Sequence, residues 1–228
     1  MQGRAVAASD APMAAVARLK ITETFYSLQG EADAAGWPTF FIRLTGCPLR
    51  CQYCDTAYAF HGGEWRNLDA LVDEALASGA RHVCVTGGEP LAQKSCIALL
   101  ARLCEAGLLV SLETSGAIDA SGVDMRVVRV IDVKTPGSGE SHRNLNLDAQ
   151  RLRASDQLKF VICDRNDYEW SRELLRSWQL DSQCTVLFSP SYLQLSAGQL
   201  ADWMLADRLP VRLQVQLHKV LWGDSPGR

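Results

Sequence analysis

At 228 residues, 47% of them hydrophobic and 21% charged, the chain has ordinary globular composition and enough length to bury one sizeable core. A formal net charge of −3, with lysines and arginines scattered along the chain, excludes the electrostatic footprint of a nucleic-acid binder and favours a small-molecule substrate. No stretch approaches the roughly 18 consecutive apolar residues of a membrane span. Eight cysteines in a chain too large to need staples are expected to be free in a reducing, cytoplasmic setting.

The alanine-rich start, broken by Arg4, Asp10 and Pro12, reads as a loose N-terminal tail over residues 1–19, followed by a single domain over 20–228. From Thr39 onward β-branched and aromatic runs alternate with stretches of helical period, the pattern of βα units around a parallel sheet. Strands are expected at Phe40–Leu44, His82–Thr86, Leu109–Glu113, Val127–Asp132, Leu158–Cys163, Thr185–Phe188 and Val211–Gln216. Helices are expected at Leu68–Ala77, Ser95–Ala106, Asp167–Trp178 and Ser196–Ala206, with Gly79 and Gly107 as C-terminal stops and Asn166 and Ser196 as N-caps. About six parallel strands are too few for a complete eightfold barrel, so a partial barrel or a doubly wound open sheet remains. In either, ligands gather at the carboxyl ends of the strands, and five polar segments fall there: Gly46–Cys54, Thr86–Pro90, Thr114–Gly116, Asp132–Lys134 and Ser189–Pro190.

The first of these carries the strongest chemistry. In GCPLRCQYCDT, Cys47, Cys51 and Cys54 place three soft ligands on one polar loop directly after a strand. Structural zinc needs four ligands, and no second Cys-x2-Cys or His pair supplies the rest. Three thiolates suit a [4Fe–4S] cluster with one iron left open for a substrate or cofactor. Of the five other cysteines, Cys84, Cys104, Cys163 and Cys184 lie in or beside apolar runs and are expected to pack as small hydrophobes. At the next strand end, Thr86-Gly87-Gly88-Glu89-Pro90 joins two glycines that permit close backbone approach to one carboxylate. Taken alone, that turn is an ordinary strand-to-helix connection.

The cysteine triad, with aromatic Tyr53 before its last member, resembles the radical S-adenosylmethionine superfamily, which implies a partial (βα) barrel. Within it, Ser27-Leu28-Gln29-Gly30-Glu31, then Phe41-Ile42-Arg43-Leu44 running into the cysteine loop, and Cys54-Asp55-Thr56 are similar to the 7-carboxy-7-deazaguanine synthases of 7-deazapurine and queuosine biosynthesis. The resemblance extends from about Ile21 to Leu221. It implies that Leu28, Gln29, Gly30, Glu31, Arg43 and Thr86 bind 6-carboxy-5,6,7,8-tetrahydropterin, and that Thr56 ligates Mg2+. It implies S-adenosylmethionine contacts from Tyr53, Cys54, Asp55, Gly88, Glu89, Asp132, Val133, Lys134, Ser189 and Pro190, with Glu113–Gly116 as a ribose-binding segment and His218-Lys219 as a closing motif. Two departures stand out. Only Lys134 matches the family's serine-proline-lysine segment, and Ala32 follows LQGE where glycine is usual, which puts a positive φ at that position in question.

The implied reaction is a lyase reaction: a radical from S-adenosylmethionine takes hydrogen from carbon 6 of the pterin, and ring contraction with loss of ammonia follows. Flavodoxin or ferredoxin as electron donor, and a homodimer, are implied by the family alone. An activating enzyme for a glycyl-radical protein shares the cysteine spacing but not LQGE or Cys54-Asp55-Thr56. A non-catalytic iron–sulfur or zinc module leaves the strand-end motifs without a purpose.

Overall fold

The computed structural model describes residues 17–145, 151–223, 225 and 227. One nine-stranded sheet carries the fold, in the order β3-β1-β2-β4-β5-β6-β7-β8-β9. Its strands are β1 (Arg18–Leu28), β2 (Pro38–Leu44), β3 (Glu64–Asn67), β4 (His82–Gly87), β5 (Leu109–Thr114), β6 (Val128–Val133), β7 (Gln157–Ile162), β8 (Thr185–Pro190) and β9 (Arg212–Leu213). β2 and β4 through β9 are parallel, while β1 pairs antiparallel with both β2 and β3. The expected six or so parallel strands are therefore seven, with two antiparallel strands added at one edge. Neither of those was legible as a βα unit: β3, EWRN, has no buried residue, and β1 precedes the first crossover. Arg18 and Leu19, assigned to the tail by sequence, pair within β1; residues 1–16 lie outside the described residues.

Side chains alternate across the sheet, as the period of two demands. Outward-facing Ile42, Val83, Val85, Val110 and Leu112 form one core with α1 (Leu68–Ala77) and α2 (Cys96–Glu105). Ile131, Leu158, Phe160, Val186 and Phe188 form a second core with α3 (Arg165–Trp178) and α4 (Ala197–Ala206). Cys84, Cys96, Cys104 and Cys184 are buried and Cys163 partly so, as packing residues should be, and all eight cysteines are free. Ser196 caps α4 by accepting from Gln199 N at 3.1 Å. α3 begins two residues earlier than the periodicity suggests, because Asp164 rather than Asn166 is the cap and accepts from Asp167 N at 3.0 Å.

The helical alternation lapses on either side of β6, where no α-helix joins β5 to β6 or β6 to β7 among the described residues. The outer face there is filled by Arg129, which is 2% exposed. Its guanidinium donates to both oxygens of Asp156 at 2.8 and 2.5 Å and to the carbonyls of Ala120 and Arg151.

The inner face is concave. The loop after β1 lies inside it: Asp33 N donates to Gln157 Oε1 on β7, and Ala32 packs against Val130 of β6 and Leu187 of β8. That loop is the floor of the cavity described below. Ala32 adopts φ +62°, the left-handed conformation that the departure from glycine put in question. β9 is shorter than its apolar run suggests. Beyond Leu213 the chain turns the side chains of Gln214 and Gln216 into this same loop, and it ends in α5 (Leu217–Trp222), too short for its period to be read.

Candidate active site

The inward tier at the carboxyl ends of the parallel strands is polar and charged. Register sets Arg43 of β2 beside Thr86 of β4, and Asp132 of β6 beside Lys159 of β7; Glu113 of β5 and Ser189 of β8 complete the ring. Together with the Leu28–Glu31 loop and the cysteine loop they line a cavity of about 340 Å³. Every predicted site residue borders it except Glu89, Val133 and Gly116 of the expected ribose-binding segment.

Cys47, Cys51 and Cys54 sit half-buried on the loop after β2. The loop is braced from two sides. Gly46 N donates to Ala59 O at 2.8 Å, and the Arg50 guanidinium, stacked 4.3 Å from the Phe60 ring, donates to the carbonyls of Cys47 and Leu49. On the other side Gln52 donates through its backbone to Ser138 O at 3.1 Å and through its side chain to Gly137 O, and Arg50 N donates to Glu140 Oε1 at 2.6 Å. Burial pushes all three thiols up, that of Cys51 to about 11, so without an electropositive partner they stay protonated. Among the described residues no three His, Cys, Asp or Glu side chains converge on one ion. Three thiols on one braced loop that do not converge on a single ion, with open cavity in front of them, fit a cluster better than one metal ion.

The Gly87-Gly88-Glu89 turn meets this loop directly. A Cβ at Gly88 would lie 2.2 Å from Gly46 O and 2.9 Å from Cys47 Cβ, and Glu89 N donates to Gly46 O at 2.8 Å. The close approach that needs glycine is thus to the cysteine loop itself. The Glu89 carboxylate turns inward, fully buried, and accepts from Leu91 N, Thr114 Oγ1, Ser115 N and Ser115 Oγ. In this position it clamps the ends of β4 and β5 together. Val133 likewise faces the outer core beside Ile131, so only its backbone can reach the cavity side.

The substrate-binding residues implied by the sequence do converge. Gln29 Nε2 and Thr86 Oγ1 donate to the two oxygens of Glu113 at 3.2 and 2.8 Å, so the segment expected to bind ribose contributes its glutamate to the Gln29 side of the cavity. Arg43 Nε donates to Glu23 Oε1 at 2.8 Å, with the Phe25 and Tyr58 rings 5.7 and 5.9 Å from its guanidinium. Burial alone would lower the Arg43 pKa; Tyr58, Glu23 and Glu113 outweigh it and raise it, so the cation is secure. Neither terminal nitrogen of Arg43 has a partner among the described residues. Glu31 is held on three sides: Lys159 Nζ at 2.6 Å, Gln214 Nε2 at 3.3 Å and Gln216 Nε2 at 2.8 Å. Gly30 leaves the space that the His218 ring fills, since a Cβ there would lie 2.1 Å from Nδ1.

On the far wall Lys134 Nζ donates to Asp132 Oδ2 at 2.7 Å, while Asp132 Oδ1 and the Tyr53 hydroxyl are buried without partners. Two orphaned buried polar atoms bordering one cavity are the signature of groups that wait for a ligand. Thr56 Oγ1 donates to Asp55 Oδ1 at 2.7 Å, which leaves hard oxygens of both residues at the rim, a donor type that suits Mg2+. Burial raises the Asp55 pKa, but Thr56, Lys219, Lys159 and Arg43 together lower it below its usual value.

Glu23, Tyr58, Lys159, Gln214 and Gln216 escaped sequence reading. Lys159 lies in the ordinary strand alternation of QLKFVI, and its partner is 128 residues away. Glu23 belongs to a strand that was not drawn. The glutamines were taken for strand residues.

The pattern of the Radical SAM superfamily is matched over residues 41–131. The 7-carboxy-7-deazaguanine synthase of Chlorobaculum tepidum is 42% identical over 216 residues, covering 93% of this chain and 98% of its own. That of Koribacter versatilis is also 42% identical, over 90% of this chain and 97% of its own. A crystal structure of QueE from Escherichia coli superposes with a TM-score of 0.72 at 26% identity, over 88% of this chain and 95% of that one. With a radical S-adenosylmethionine core, a partial-barrel fold and relatives matched nearly end to end, the chain belongs to the 7-carboxy-7-deazaguanine synthase family.

Proposed function

We propose that the cavity binds 6-carboxy-5,6,7,8-tetrahydropterin beside a [4Fe–4S] cluster and S-adenosylmethionine, and that the protein is the lyase converting this pterin to 7-carboxy-7-deazaguanine with loss of ammonia. The observation that carries the reading is the convergence of Gln29, Glu31, Arg43, Thr86 and the three cysteines on one cavity. Cys47, Cys51 and Cys54 would hold three irons. When bound, the reduced cluster and S-adenosylmethionine supply a carbon radical able to take a hydrogen atom from carbon 6 of the pterin.

The chain's own residues bind and orient. The two free nitrogens of Arg43 are placed to clamp the substrate carboxylate, while Glu31 and Gln29 present acceptor and donor atoms to the amide and amine edge of the ring. Asp132 Oδ1 and the Tyr53 hydroxyl, both unpartnered, serve S-adenosylmethionine, with Lys134 and the backbone at Gly88 beside it. Thr56 would ligate Mg2+ together with substrate oxygens. Gly30, packed under His218, lets the C-terminal segment close the cavity wall and exclude water. No side chain is required as a nucleophile. A flavodoxin or ferredoxin as reductant, a homodimer and a cytoplasmic location complete the reading. No helix among the described residues is long and apolar enough to cross a membrane.

The test is anaerobic reconstitution with iron and sulfide, followed by reductant, S-adenosylmethionine and the pterin, with 5′-deoxyadenosine and 7-carboxy-7-deazaguanine assayed. Cys51→Ala abolishes cluster absorbance and turnover, whereas Cys104→Ala, in the outer core, leaves both largely intact. Equal losses in the two variants would show the ligands to be misassigned.

A further inference from the structure

Glu31, Glu113 and Asp132 come from separate elements and line one cavity, and Glu31 and Asp132 share a cation that belongs to none of the sequence motifs. Lys159 Nζ lies 2.6 Å from Glu31 Oε2 and 3.9 Å from Asp132 Oδ2, on the inward face of β7 and lining the cavity. We propose that Lys159 is a positioning residue for substrate recognition: its ion pair fixes the Glu31 carboxylate in place, aimed as an acceptor at a ligand edge that presents N–H donors. The inference rests on the functional reading above, since it names the chemistry that Glu31 must meet.

An ionised carboxylate is acceptor-only, with both oxygens free to meet an edge of N–H donors. Glu31 is buried, and its other partners, Gln214 and Gln216, are neutral amides. Lys159 is the one cation in direct contact with it among the described residues. The remaining charged and titratable neighbours are Asp132, Glu113 and Lys134 on the facing strands, Asp55 on the cysteine loop, the His218 ring against Gly30, and the Arg212–Asp33 pair at the next turn. Burial alone would drive the Lys159 pKa down. Asp132, Glu31 and Glu113 overcome that and hold it well above its ordinary value, so the ammonium persists across the working pH range. Without it, Lys134 alone faces Asp132, and Glu31 is left with two neutral amides as its side-chain partners.

The geometry separates recognition from cluster loading. Lys159 contacts Glu31 on the floor and lies 3.9 Å from Asp132, and its ion pairs involve none of the three cysteines. Lys159→Met should therefore weaken the pterin and spare cluster loading. The expected loss is about 30-fold in Kd and KM at neutral pH, equivalent to about 2 kcal/mol for breaking a buried charge pair.

Anaerobic calorimetry with the reconstituted holoenzyme and 6-carboxy-5,6,7,8-tetrahydropterin decides the matter. Wild-type protein is expected to bind the pterin tightly. Lys159→Met binds it weakly and raises KM while kcat at saturating substrate is little changed, and Lys159→Arg restores wild-type affinity. In a Glu31→Gln background the Lys159→Met change adds nothing further, because the group it serves is gone. If Lys159→Met fails to fold, the arginine variant and the double variant, which removes both partners, carry the test. Wild-type protein that binds no pterin overturns the functional reading and this inference with it. Wild-type binding with Lys159→Met unchanged, or additive losses in the double variant, overturns the inference alone.

Discussion

Two buried ion clusters occupy opposite faces of β6, centred on Arg129 and Asp132 three residues apart, and they differ in a way that separates scaffold from site. On the outer face, Arg129 donates to both Asp156 oxygens and to two carbonyls, and Asp156 Oδ2 also accepts from Arg153 N at 2.7 Å. Every charge there is answered from within the protein. On the inner face, Asp132 and Glu31 share Lys159, Lys134 completes the group, and one oxygen of Asp132 is left buried and unpaired. A closed network substitutes for a missing helix. An open one, carrying an orphaned acceptor, marks where a ligand completes the accounting.

The contrast breaks most sharply at Arg129. Arg129→Met strands the Asp156 carboxylate in a dry site, at a cost of about 3–5 kcal/mol. For a chain of this length that corresponds to a Tm fall of about 10 °C by calorimetry. Turnover per folded, cluster-loaded molecule should hardly change. Arg129→Met/Asp156→Leu should recover most of the loss, because a filled apolar gap is no worse than a closed ion pair. A large loss of specific activity at normal stability would show the outer pair to be functional after all.

Asp132→Asn should produce the reverse. The orphaned acceptor has no protein partner to lose, Lys134 keeps a hydrogen-bonding oxygen and Lys159 keeps Glu31, so the unfolding free energy falls by about 2 kcal/mol, less than at Arg129. Reductive cleavage of S-adenosylmethionine should fall about 10–100-fold, the value of a charge-assisted hydrogen bond made only with the ligand present. Stability lost without activity lost would erase the distinction between the two clusters.

How much of this was legible in the sequence depends on the range of the contact. The cysteine triad, the Thr86–Pro90 turn and Arg43 before the loop were readable because spacing within a dozen residues fixes their chemistry, and the strand alternation placed them at one end of the sheet. The inward turn of the Glu89 carboxylate was not legible because the motif does not say which way it points; Thr114 and Ser115, 25 and 26 residues on, decide that. Lys159 was invisible for the same reason at greater range. Ala32 is the instructive intermediate: its departure from glycine flagged a backbone question that only the fold could answer.

That answer gives a smaller effect on the floor of the open cluster. Ala32 already bears the cost of φ +62°, and its methyl touches Val130 and Leu187. Ala32→Val adds a β-branched side chain to a left-handed position and crowds both neighbours, costing about 2 kcal/mol. Ala32→Gly should stay within about 1 kcal/mol of the parent, because relief of strain is offset by the loss of one buried methyl group. Denaturant unfolding of the three proteins distinguishes these outcomes, and a strongly stabilised glycine variant would mean the methyl contact contributes nothing.

The smallest effect concerns a histidine that belongs to neither cluster. His82, paired in register with Thr39, has its Nδ1 2.9 Å from Thr39 Oγ1, and burial holds its pKa below the ordinary 6.5. Above pH 6.5 the ring is neutral in both folded and unfolded chains, and it contributes no pH dependence. As pH falls below 6.5 the unfolded chain takes up a proton that the fold resists, so stability declines until the folded pKa is passed. Comparing Tm from pH 7.5 to 5 for the parent and for His82→Gln isolates this contribution: the difference between the two curves should be constant above pH 6.5 and shift against the parent below it. A difference that stays flat, or shifts toward the parent on acidification, would mean that the Thr39 hydroxyl stabilises the charged ring and that burial does not control it.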